Sequence, residues 1–396
     1  MAVLLSFVAI GAAAQEFSGL ARLDVQDSTV VDTRNGVALE LRMSQGVPYR
    51  VFTLDGPERL VLDFREIDWA GVEPGALDQS EQVSDIRVGG FGPGWSRMVV
   101  DLAGPYLLET ADLEVDAETG QATLRVDLQM GSPEAFATAS GAPDGAEWAV
   151  SSAEVPETSG QDGTFVIVVD PGHGGIDPGA DQGGVLEKDL MLLFALELKE
   201  LLVRSGDVEV LLTRQDDSFV SLDRRVVLAH KMRADLFISL HADALNEGHA
   251  HGATVYTLSK TASDKASALL AERHDRSDIL AGIDLSGQDD VVADVLIDLA
   301  RQETQPRADR LAEALRLGIK QRQLKLNTRP MRSAGFSVLK SPDIPSVLLE
   351  LGFLSSEKDR ANLQNPEWRG VMAASIRDAI FAWRQADAAT ADLVRQ

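Results

Sequence analysis

Apolar and polar positions along this chain follow two different rhythms. Between residues 19 and 128 the apolar residues come in short alternating runs: VALELR at 37–42, YRVF at 49–52, RLVLDF at 59–64, RMVVDL at 97–102 and ATLRVD at 122–127. A period of two sends successive side chains to opposite faces, and Gly, Pro and Asp break the runs. An antiparallel β unit is therefore predicted over 19–130, with nothing catalytic in it. Beyond residue 164 the rhythm changes. FVIVVD at 165–170 is continuously apolar, as in a strand covered on both faces, and a helical period runs from about Glu187 to Arg204. Further strands at 208–213, 236–240, 253–258 and 347–350 alternate with helical patterns, notably 221–234 with Ser221 as its N-cap. That alternation predicts an α/β domain over 164–385, a sheet flanked by helices.

Residues 131–163 belong to neither regime: Ala, Ser, Gly, Pro and Glu dominate, and Lys and Arg are absent. Such a stretch cannot bury enough apolar surface to offset chain entropy, so it is expected to be a flexible acidic linker. The first fourteen residues, MAVLLSFVAIGAAA, are apolar and end in small residues, as a signal peptide does. They are too few for a spanning helix, which needs about 20 apolar residues. Cleavage after Ala14, export to a periplasm and no membrane span in the mature form are the expectation.

Composition sharpens this picture in three ways. A length of 396 residues suits two to three domains at roughly 150 residues each. With 37 basic against 62 acidic residues the formal charge is −25, which excludes nucleic acid as the main partner. There is no cysteine. Disulfides, thiol nucleophiles and thiolate ligands are thereby removed, leaving His, Asp and Glu for any metal site.

Four residues at strand or helix ends are the candidates. His173 lies in Asp170-Pro171-Gly172-His173-Gly174-Gly175, directly after the first α/β strand; the loop lacks the glycine spacing and terminal lysine of a phosphate loop. Glu187 opens a helix, His241 follows the strand at 236–240, and Glu350 closes the apolar run PSVLLE. Taken singly, the first three also read as a turn histidine, a helix-dipole acid and a core histidine. Glu350 is different, because a carboxylate ending an apolar strand is costly unless paired or used. Together, two imidazoles and a carboxylate make a three-ligand zinc site, with a separate glutamate for proton transfer. His230 reads as a core-edge helix residue, and His249 and His251 as members of a solvent-facing loop. Arg214, Asp216 and Asp217 read as surface electrostatics.

The DPGHGG loop, Glu187 with Lys188-Asp189-Leu190, Ser239-Leu240-His241-Ala242-Asp243-Ala244 and Leu349-Glu350-Leu351-Gly352-Phe353 resemble the type 3 N-acetylmuramoyl-L-alanine amidases, over about residues 164–383. The β unit resembles, more weakly, the AMIN domain that targets division amidases to the cell wall. The resemblance implies one zinc ion per chain, held by His173, Glu187 and His241, with Glu350 as catalytic acid and base and no other cofactor. It implies a twisted, mainly parallel sheet, and cleavage of the amide between the lactyl group of N-acetylmuramic acid and L-alanine of peptidoglycan, as daughter-cell separation requires. Residues 260–303 form an insertion with helical patterns at 263–274 and 289–301. In AMIN-bearing division amidases, such a segment covers the active site until a LytM-domain activator displaces it. Asp278-Ile279-Leu280-Ala281-Gly282 is similar to that segment, and His274, ahead of Glu272, is the candidate autoinhibitory ligand. Two rivals are a wall-binding scaffold with a decayed site and a zinc carboxypeptidase. The intact four-residue set speaks against the first; against the second, no arginine is placed to grip a terminal carboxylate.

Overall fold

The computed structural model describes residues 20–65, 67–92, 94–116, 119–143, 164–244, 250–283 and 291–394, the side chains of 291–303 and 390–394 excepted. The expected signal peptide, linker residues 144–163, His249 and insertion residues 284–290 lie outside the described residues.

The N-terminal unit contains β1 (Ala21–Asp32), β2 (Gly36–Met43), β3 (Tyr49–Leu54), β4 (Arg59–Arg65), β5 (Ile67–Asp68), β6 (Asp78–Gln79), β7 (Val83–Gly92), β8 (Trp95–Leu102), β9 (Tyr106–Val115) and β10 (Ala122–Met130). They form two sheets, ordered β5-β1-β2-β10-β9 with β6 on β1, and β3-β4-β8-β7. Leu39, Leu41, Leu62, Val100 and Leu124 fill the core between them. All five alternating runs lie within strands. The expected linker begins too early: residues 133–139 form helix α1 (Pro133–Ala139), capped by the Ser132 hydroxyl, with Phe136 only 1% exposed in the β core. One buried aromatic outweighs the loop-like composition around it.

The C-terminal unit is a six-stranded sheet in the order β14-β11-β15-β18-β16-β17. Its strands are β11 (Phe165–Pro171), β14 (Val208–Leu212), β15 (Leu236–His241), β16 (Ala253–Leu258), β17 (Leu326–Ala334) and β18 (Ser346–Glu350); β12 (Asp181–Gln182) and β13 (Val185–Leu186) make a separate hairpin. The pairings are parallel except between β16 and β18. Strand β17 was not predicted; its burial is irregular, so the apolar pattern marks it poorly. Helices α2 (Glu187–Arg204), α6 (Val291–Gln321) and α8 (Pro366–Val394) cover one face over Ile167, Val169, Ile238 and Leu349. Helices α3 (Leu222–Lys231) and α4 (Lys265–Asp275) cover the other over Val166, Val168, Phe237 and Leu348. The apolar run at 165–170 is continuous because both faces are covered.

Candidate active site

Open α/β sheets collect ligands at the C-terminal ends of their strands. His241 ends β15 and Glu350 ends β18, and the two are register partners. His173 lies just past β11 with φ +59°, a left-handed backbone uncommon for a residue bearing a Cβ. Glu187 is the first residue of α2. One donor atom from each of His173, Glu187 and His241 lies within 4.8 Å of the others. Glu187 Oε1 stands 3.2 Å from His173 Nε2 and 3.0 Å from His241 Nδ1, and it accepts the Ala242 N–H at 2.8 Å. His173 Nδ1 is 2.7 Å from Asp177 Oδ2, which fixes the ring with Nε2 turned inward.

The donor set tests well as a cation site. His173 Nε2, His274 Nε2 and Glu350 Oε1 are buried without a hydrogen-bond partner, whereas buried polar atoms are normally paired. Two imidazoles and a carboxylate at this spacing suit zinc. Charge follows the same geometry. Burial raises Glu187, yet the two histidines outweigh it and hold this carboxyl well below its usual range. Burial opposes charge on His173, but the carboxylates of Asp177 and Glu187 keep it well above its ordinary value. Glu350 is pushed well above the usual carboxylate range by burial and then by the charges of Glu187 and Asp243. Asp243 rises to about 6 through burial and Glu187, although Arg273 opposes the shift. The Asp243 N–H holds Glu350 Oε2 at 3.1 Å, leaving Oε1 toward the histidines.

Helix α4 places His274 over this cluster. Its ring centroid is 4.2 Å from that of His241 and 5.9 Å from that of His173, and Nε2 is 3.8 Å from Glu350 Oε1. Ser267, Leu270, Ala271 and His274 form the buried stripe of α4, a helical spacing that extends to His274 because the helix runs on to Asp275. Glu272 is exposed on the opposite side. Burial, then the charges of His241 and His173, keep the His274 imidazole well below its ordinary pKa, so it presents a neutral lone pair. Arg273 Nη1 donates to Asp243 Oδ1 at 2.8 Å and to the Ala244 carbonyl at 2.6 Å. The cavity lined by His173, His241, His274 and Arg225 is about 10 Å³, the size of one water.

The reading of Arg214 as surface electrostatics is corrected by this structure, whereas Asp216 and Asp217 are exposed as expected. Arg214 is 3% exposed and donates to the carbonyls of Pro171, Gly172 and Lys188 at 3.0, 2.9 and 2.8 Å. Burial and the charge of Arg225 bring it down to about 10. Asp217 accepts the Gly175 N–H at 2.8 Å and pairs with Lys188 at 2.6 Å, and Asp216 gives Arg214 a carbonyl acceptor. Arg225, unnoticed in the sequence, donates to Asp170 at 2.6 Å and to the His173 carbonyl at 2.8 Å. Its only sequence mark is its helical spacing with Leu228 and Ala229 on the buried side of α3. Ser221 occupies the N-cap position but makes no side-chain cap; Asp278, from the insertion, accepts the Leu222 N–H at 3.0 Å instead. His230 contacts Ser341 at 3.1 Å on the domain edge, and His251 is half-buried beside β16.

Comparison with known proteins gives two family matches: N-acetylmuramoyl-L-alanine amidase over residues 167–382, and AMIN domain over 28–128. The chain is 33% identical over 360 residues to N-acetylmuramoyl-L-alanine amidase AmiC of Escherichia coli O6:H1, covering 86% of this chain and 85% of that one. It is 32% identical over 363 residues to AmiC of Neisseria meningitidis serogroup B, with 86% and 85% covered. Against AmiA of Escherichia coli K12 the identity is 36% over 230 residues, 58% of this chain and 79% of that one.

Proposed function

We infer the reaction from one premise: the chain belongs to the N-acetylmuramoyl-L-alanine amidase family, with an AMIN domain ahead of the catalytic domain. It is a peptidoglycan hydrolase that cleaves the amide between the lactyl group of N-acetylmuramic acid and L-alanine of the stem peptide, in cell-wall remodelling and daughter-cell separation. The observation that carries the chemistry is the convergence of His173, Glu187 and His241 beside a buried, half-unpaired Glu350.

His173, Glu187 and His241 would hold one zinc ion. When bound, the ion supplies a Lewis acid for the scissile carbonyl and acidifies a water molecule. Glu350 takes a proton from the attacking water through Oε1 while the Asp243 amide steadies Oε2. It returns that proton to the L-alanine nitrogen as the C–N bond breaks, so a muramic carboxylate and a free peptide amine result. Burial and the nearby carboxylates raise its pKa above the usual carboxylate range, which favours a group that must hold the proton before passing it on. Asp177 and Arg225 hold the His173 loop so that the donors meet without rearrangement.

With zinc bound, His274 would supply a fourth donor in place of the water that hydrolysis needs, which would keep the resting enzyme closed. Displacement of α4, by a LytM-domain activator in this reading, opens it. Export by an N-terminal signal peptide to the periplasm places the enzyme at its substrate, and the AMIN domain keeps it on wall material. Digestion of purified peptidoglycan by the His274→Ala protein, with mass analysis of the products, tests the reaction. Intact stem peptides with a free L-alanine amine are expected. Trimming at the peptide carboxyl end would overturn the assignment in favour of a carboxypeptidase.

A further inference from the structure

Beyond the closed-site reading stands a contact between the two domains. Three arginines on adjacent strands of the β3-β4-β8-β7 sheet reach four successive backbone carbonyls at the end of the inhibitory segment, helix α5 (Ser277–Leu280) and the turn after it. Arg59 donates to the Ile279 carbonyl at 2.6 Å, Arg87 to that of Leu280 at 2.9 Å, and Arg97 to those of Ala281 and Gly282 at 3.1 and 2.6 Å. Carbonyls that end a helical turn carry partial negative charge, so guanidinium groups suit them, and the Ile279 carbonyl also accepts the Gly282 N–H at 2.9 Å.

The arginines are prepared for this task. Asp63 grips Arg97 with both oxygens, and Asp101 grips Arg87 at 2.8 and 2.6 Å. Arg59 and Arg97 are each 2% exposed, so their bonds to the segment are shielded from water. Val99, Ile176, Phe219 and Ala281 form a small core that spans both domains. Gly282, at φ +66°, lies against Val99 and Val61, and a Cβ there would meet their methyls at 3.0 and 3.1 Å. The same sheet touches the His173 loop: the Ile176 N–H donates to the Gly90 carbonyl at 3.2 Å, and a Cβ on Gly89 would come within 2.7 Å of Ile176.

We propose that the AMIN domain has a second function beside wall attachment: its Arg59, Arg87 and Arg97 clamp the C-terminal end of the α4–α5 segment and thereby hold His274 over the active site. The proposal rests on the reading of α4 as the closing element. It ties the two domains together across the stretch read from the sequence as a flexible acidic linker. An activator must then break the contacts of α4 with the site and also the arginine contacts of α5. The domain that meets the wall is physically joined to the switch.

The test uses the full chain, with amide hydrogen exchange read over residues 265–282 and basal peptidoglycan hydrolysis read in parallel. The variants are Arg59→Met with Arg87→Met, which keep apolar stems and spare the buried Arg97–Asp63 pair, and separately Gly282→Val, which wedges the contact from the catalytic side. Losing two charge-assisted hydrogen bonds should speed exchange across α4 and α5 by at least about tenfold, with exchange in β10 unchanged as the control for β-domain folding. Unchanged exchange in both proteins overturns the clamp. His274→Ala separates the two ideas. If it raises hydrolysis while the arginine and Gly282 variants alter neither readout, the closing element stands and the clamp falls. If exchange quickens in the arginine variant but hydrolysis rises neither there nor in His274→Ala, the clamp stands and the closing role of His274 falls.

Discussion

Replacing Glu350 by glutamine separates proton transfer from architecture, because the two side chains share a shape. In the native protein Oε2 accepts the Asp243 N–H at 3.1 Å, and the glutamine carbonyl can accept the same bond. The new amide would face His274 Nε2, 3.8 Å from the position of Oε1, on an imidazole that burial and the charges of His241 and His173 keep neutral. Packing and polar satisfaction are therefore retained. What disappears is the group that can take a proton from water, so turnover should fall by about 10² to 10⁴. Stability should move the other way. Glu350 has no exposed surface and is raised by burial and by the charges of Glu187 and Asp243, so its ionised form works against folding. A group whose native pKa is raised helps the fold below its unfolded pKa and loses that contribution as pH rises through the native value. The gain from Glu350→Gln in metal-free protein should thus grow toward alkaline pH. About 1 kcal/mol at pH 8 corresponds to a rise of about 2–4 °C in Tm for a domain of this size. The assay pairs hydrolysis of labelled peptidoglycan in the His274→Ala background with thermal unfolding under chelator. Turnover within about threefold of the parent, or a Tm lowered by several degrees, would refute the reasoning and make Glu350 a structural residue.

Three further outcomes follow from the same geometry. His241→Ala should reduce zinc in the purified protein well below one ion per chain, measured by elemental analysis, since one of the three donors that define the cluster is lost. Asp177→Asn should preserve the fold yet weaken zinc binding by about 10- to 100-fold in a chelator competition, because the residue orients His173 through a 2.7 Å contact without belonging to the cluster. Asp278, brought up to about 6 mainly by burial while the Leu222 amide and Arg225 oppose and Asp223 and Asp177 assist, favours the docked segment when protonated. Docking should therefore tighten as pH falls from about 6 toward 4 and loosen as it rises through 6, and Asp278→Asn should flatten that component of a hydrogen-exchange pH series.

Much of the site was legible because its chemistry sits where the apolar pattern stops. Strands at 165–170, 236–240 and 347–350 are covered on both faces, so a polar residue at their ends stands out, and Glu350 was conspicuous for that reason. His274 was harder to place. Whether it or Glu272 turned inward depended on where α4 ended, and the helix continues through both. Arg214 and Arg225 were misread or missed because an arginine in a short polar stretch looks the same whether it faces water or a ring of carbonyls. Residues 133–139 were misassigned to the linker because six small or polar neighbours hid the anchoring role of Phe136.

Local pattern, then, determined the two-domain order, the β character of the first unit, the α/β character of the second and the four residues that end in the candidate site. These properties are periodic or terminal and need only neighbours along the chain. The tertiary structure alone decided what crosses between distant segments: Asp278 capping α3 from 56 residues away, and Arg59, Arg87 and Arg97 reaching backbone carbonyls 184 to 220 residues downstream. On their strands Arg59 and Arg97 read as ordinary polar positions of alternating runs, and Arg87 falls in a strand without one. A carbonyl acceptor leaves no trace in residue type, because every residue carries one, so only the packing of one domain on the other reveals which carbonyls are taken.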